Sequence, residues 1–128
     1  MTFHMPRRIS VLLLLIFCPI WLYSEVIISE LDAINIGSVE DADGSEPDWI
    51  ELKNTGNGAV NLEGWGLSDD PLEPGKWMFP AVSLDSGDYM IVFASGKDWR
   101  VPGVELHTNF ALSGDGESVV LSRPDGAG

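Results

Sequence analysis

The chain has 128 residues, with 20 acidic against 7 basic side chains and a formal net charge of −13. That length suits one domain. The charge excludes generic nucleic-acid binding, which needs Lys and Arg for the phosphates, and adhesion to anionic membrane surfaces. Charge alone does not impose disorder, because 45% of the residues are hydrophobic and five are Trp.

Residues 1–24 have the layout of a secretory signal peptide. Arg7 and Arg8 form a positive start, and Ile9 to Tyr23 is an apolar run of 15 residues. A membrane-spanning helix needs about 20. Cleavage is expected near Ser24–Glu25, and the competing reading is an uncleaved anchor. The first 24 residues hold two of the seven basic side chains and none of the acids. Residues 25–128 thus carry five basic and 20 acidic groups. Cys18, the sole cysteine, lies inside the apolar run. Its removal leaves no disulfide and no Cys-based metal site. The mature chain is expected to be secreted, extracellular or in the cell envelope, free of the membrane once the signal is gone. No Asn-x-Ser/Thr sequon occurs.

Beyond residue 25 no helical periodicity appears, and short β-rich runs alternate with Gly, Pro, Asn and Asp. In chain order these are 26–31, 49–53, 60–62 leading through Gly64 to 65–68, 76–79, 89–94, 106–110 and 117–122. Residues 89–94 form the most continuous apolar run and are placed in a central strand. Seven short strands with frequent turn signals predict an all-β sandwich or barrel. The expected core is Ile50, Leu52, Trp65, Leu67, Trp77 or Met78, Ile91, Phe93, Val119 and Leu121. Pro124-Asp125-Gly126 is a hairpin-turn composition that calls for a partner strand. The domain is therefore expected to be incomplete or part of a longer protein.

Several of these segments, taken in order, resemble the lamin tail domain family. They are Asp48 to Asn54, Val60 to Asp69, Lys76 to Pro80, Ser86 to Ser95, and Gly116 to Ser122 followed by Asp125-Gly126. The likeness spans roughly residues 25–128 and is closest in character to the secreted bacterial branch. It implies an immunoglobulin-like β-sandwich with no catalytic residues; no cofactor is expected, unless calcium. It also implies a companion role, because such bacterial domains stand beside secreted hydrolases, nucleases or spore-coat kinase-like domains.

Glu40, Asp41, Asp43, Glu46 and Asp48 crowd nine residues around Gly44. Mutual repulsion in such a group is relieved by a divalent ion, and Ca²⁺ takes six to eight oxygen ligands. Asp41, Asp43, Glu46 and Asp48 are the candidate calcium ligands. The competing reading is a solvated acidic loop. His107, the one histidine beyond residue 24, has no Cys or His companion for zinc. No Gly-x-Ser-x-Gly elbow supports a nucleophilic serine. It is expected on a surface or an edge strand. Of the tryptophans, Trp65 is expected in the core. Trp49 is expected half exposed beside the acidic loop, and Trp99 is expected on a loop. Trp99 and Trp49 are the candidate interaction residues, since exposed loop aromatics mark contact sites. The resulting expectation is a secreted, non-catalytic interaction or spacing module whose partner is an extracellular protein, a glycan or further domains of the same chain. The alternatives are an accessory domain of a larger secreted enzyme and a calcium-dependent adhesive module.

Overall fold

A computed structural model describes residues 25–116 and 118–125. The signal-peptide reading, Glu117 and the end of the Asp-Gly turn lie outside the described residues. Among the described residues nine strands run in chain order: β1 Val26–Asp32, β2 Trp49–Asn54, β3 Val60–Asn61, β4 Gly66–Ser68, β5 Trp77–Met78, β6 Ser83–Leu84, β7 Tyr89–Phe93, β8 Leu106–His107 and β9 Val120–Ser122. Among the described residues there is no helix, and so none long and apolar enough to cross a membrane.

One sheet has the order β1-β2-β7-β8, another β5-β4-β9, and β3 pairs with β6. All pairings are antiparallel except β7 with β8. Parallel neighbours need a crossover of about a dozen residues. Here residues 94–105 supply it, and this crossover builds the candidate site.

The core gathers Ile50, Leu52, Leu62, Leu67, Trp77, Phe79, Leu84, Val92, Leu106 and Phe110 with Val26, Trp65 and Ala94. The rings of Trp77 and Phe79 meet edge to face with centroids 4.8 Å apart. Ile50 and Leu52 fall where the alternation of β2 predicts them. Val92 lies opposite Ile50 and Met90 opposite Leu52, so these two point inward from β7. The expected phase of that strand is corrected by one residue. Ile91 is 36% exposed and pairs with Glu51 on the outer face. Phe93 is buried as expected, but on that outer face, where it stacks on His107. An unbroken apolar run hides its own phase, which only the pairing sets. Trp77, not Met78, enters the core. Val119 and Leu121 pack half-buried at its margin. The sequence reading missed β6, whose two residues are too short to show a period.

Gly66 sits where β4 passes under the β5 side loop. A Cβ there would lie 2.3 Å from the Pro74 carbonyl oxygen and 2.6 Å from Ser122 Oγ. Only glycine allows that approach.

Candidate functional site: a polar cluster on the crossover

The loop of residues 33–48 leaves β1 and returns to β2. Asn35 braces it: its amide donates to the carbonyls of Val39 (2.6 Å) and Pro47 (2.9 Å). At its tip, Asp41 and Ser45 close a tight turn, with Asp41 N–H on the Ser45 carbonyl at 2.8 Å. Gly44 takes the left-handed conformation at φ 75°. The side chain of Asp41 folds back into this turn. Its Oδ1 accepts the N–H groups of Asp43 (3.0 Å) and Ser45 (2.9 Å). Asp and Asn favour such local turns because a short carboxylate or amide reaches the backbone two residues on.

The crossover approaches this turn from the other side. After β7 the chain runs back antiparallel to residues 107–111. Gly96, Asp98 and His107 N–H groups bond the carbonyls of Phe110, Thr108 and Trp99 at 3.2, 3.0 and 3.0 Å. Asp98 adopts φ 53°, a left-handed conformation uncommon outside glycine. Its carboxylate accepts the Trp77 indole N–H at 3.1 Å and pairs with Arg100 at 3.0 Å. That double anchorage holds the bend that sets Lys97 and Trp99 on either side of it.

Lys97 is the hub. Its ammonium lies 2.5 Å from Asp41 Oδ2 and 2.9 Å from Asp43 Oδ2. It also stands 5.0 Å from the centre of the Trp99 ring, in cation–π range. The Asp41 carboxyl is fully buried. Burial pushes its pKa up, but the Lys97 hydrogen bond, the two backbone N–H groups and the Lys97 charge outweigh that and hold it below its ordinary value. The same two carboxylates raise the Lys97 pKa.

His107 completes the cluster. Its Nδ1 lies 2.7 Å from Ser95 Oγ, and its Nε2 lies 2.8 Å from Glu105 Oε1. Glu105 Oε1 also accepts the Ala42 N–H at 3.0 Å, which ties the end of the crossover to the acidic turn. The imidazole is stacked on Phe93 (centroids 5.1 Å) and met edge-on by Trp99 (4.5 Å).

The structure thus sorts the sequence candidates. Asp41 and Asp43 come together, but around Lys97. Glu46 is exposed against Gly37, and Asp48 engages through its carbonyl, which accepts the Ala94 N–H at 2.7 Å. His107 stands on an edge strand, one of the two places expected for it, and is 0% exposed, so the surface alternative does not hold. Trp99 is on a loop and 36% exposed. Trp49, expected half exposed, is buried at 7%, and its indole N–H lacks a hydrogen-bond partner among the described residues. It pairs across the sheet with Phe93 and is buried, so it offers no contact surface. The sequence reading missed Lys97, Ser95 and Glu105. Glu105 carried one signal: two residues before His107, it shares that residue's side of an extended chain.

Fold and site together define an all-β immunoglobulin-like domain with a polar cluster sealing one of its loops. The lamin tail domain family model matches residues 23–127, and the chain belongs to that family. No curated protein matches it.

Proposed function

We propose that this chain is exported and acts as a non-catalytic contact module, with its contact surface centred on Trp99. One observation carries the reading. Trp99 keeps 36% of its surface exposed while its ring is held by His107 on one side and the Lys97 ammonium on another. An aromatic already fixed in place loses little conformational freedom on binding. The partner class is an extracellular protein or a glycan, since aromatic faces serve both. Export is supported by Arg7, Arg8 and the apolar run to Tyr23.

The Ser95–His107–Glu105 chain of hydrogen bonds does not favour an enzyme. Nucleophilic catalysis needs a base that reaches both the serine and the departing group. Here the imidazole is sealed from solvent, and Ser95 Oγ accepts the Lys97 N–H at 3.1 Å.

The test is co-sedimentation of the purified chain with insoluble polysaccharides, including cellulose, chitin and cell-wall preparations, alongside capture of envelope proteins. Trp99→Ala should weaken any specific binding at least about tenfold, a typical cost for a central aromatic, with no loss of fold. Binding that survives Trp99→Ala unchanged would contradict this surface. No binding at all would leave a spacer role.

A further inference from the structure

We propose that Asp41, Glu105 and His107 form a binding site for a divalent transition metal of the zinc class. One ligand atom from each of the three lies within 4.8 Å of the others. A tetrahedral zinc with bonds of about 2.0–2.1 Å sets its ligands about 3.3 Å apart. Reaching that spacing asks Asp41 to move inward by up to about 1.5 Å and the 2.8 Å His107–Glu105 pair to open slightly.

Charge points the same way. Asp41, Asp43 and Glu105 bring three carboxylates to the cluster, and Lys97 brings one ammonium. The excess negative charge is what a divalent ion offsets. Lys97 need not leave. When a metal takes Asp41, the ammonium keeps its contact with Asp43, the more exposed of its two partners.

The donor set selects the metal. One imidazole nitrogen with two carboxylates suits zinc and its neighbours, whereas calcium wants oxygen alone. The surrounding contacts are those that orient metal ligands. Ser95 Oγ engages the second ring nitrogen of His107, so Nε2 faces the carboxylates. Backbone N–H groups hold Oδ1 of Asp41 and Oε1 of Glu105. Glu105 is partly open to solvent, which gives an ion a way in and leaves room for water as a fourth ligand.

The experiment uses the untagged exported chain, stripped with chelator, and titrates Zn²⁺ by calorimetry and thermal melting, with Ca²⁺ as comparator. The expected result is one Zn²⁺ per chain and a melting rise of roughly 10 °C at a hundredfold excess over Kd. The imidazole signals of His107 should shift at the same stoichiometry. Glu105→Gln, checked for an intact metal-free fold, should lose at least about tenfold in affinity. Lys97→Gln should keep or raise it, since it removes a competing cation. No Zn²⁺ binding up to about a millimolar, a weak limit for an imidazole site, would overturn the proposal. So would binding that Glu105→Gln leaves unchanged, or a larger response to Ca²⁺ than to Zn²⁺.

Discussion

The middle of the sandwich and its polar end are held by opposite means. In the middle, Ile50, Leu52, Leu67, Trp77 and Val92 are fully or almost fully buried and hold through apolar contact. At the polar end, Asp41, Thr108 and His107 are buried just as deeply, yet each is matched to a named donor or acceptor. Apolar packing is tolerant of chemistry and strict about volume. A buried polar network is the reverse, because each unmatched group bears its full desolvation cost. The middle should therefore respond to volume and the polar end to charge.

Gly66→Ala should give the largest loss, about 3 kcal/mol, because the new Cβ meets backbone that cannot move aside. Urea unfolding measures it. An unchanged midpoint would mean that β4 does not run tight against Pro74. Next, Val92→Ala should cost about 2 kcal/mol, while Ile91→Ala on the outer face costs less than about 1. Equal costs would break the assigned phase of β7.

At the polar end, pH is the lever. The Asp41 pKa is lowered in the folded chain from its ordinary 3.8. The stability this provides is complete above that ordinary value and is lost as pH falls through the lower, folded-state value. Wild type should exceed Asp41→Asn in melting temperature at neutral pH, and the gap should close in strong acid. A gap that persists unchanged at low pH would detach the effect from the carboxylate. Lys97 works at the other limit. Its raised pKa keeps its contribution intact below about 10.5, lost only as pH climbs through the folded value. The smallest effect is expected for Trp99→Ala, whose exposed ring should change stability by less than about 1 kcal/mol, for all its weight in binding.

The same contrast governs what the sequence makes legible. The alternation of Trp49 to Asn54 sets the inward face of β2, and the order of strand-like segments points to the family. Residues 89–94 name a central strand but conceal its phase, since apolar side chains fill both faces. The polar end is harder to read. Asp41 and Lys97 lie 56 positions apart, and Ala42 and Glu105 63. The acidic crowding around Gly44 is plain in the sequence, which leaves open whether a cation or solvent offsets it. It does not say that the crossover after β7 delivers a cation, Lys97, to Asp41 and Asp43. His107 looks isolated in the sequence because its partners, Ser95 and Trp99, reach it through that same crossover. Trp49 and Trp99 both stand as interaction candidates in the sequence, one on a strand beside the acidic loop and one on a loop. The folded chain decides between them, burying Trp49 and leaving Trp99 36% exposed.

The central claim is that Lys97 is the cation that locks the acidic turn onto the crossover. A double-mutant cycle of Asp41→Asn and Lys97→Met, read by chemical unfolding, tests it most directly. The account predicts strong coupling, with the double variant losing clearly less stability than the two single losses combined. Losses that add within error would show that the two residues do not hold each other, and the polar end would need another explanation.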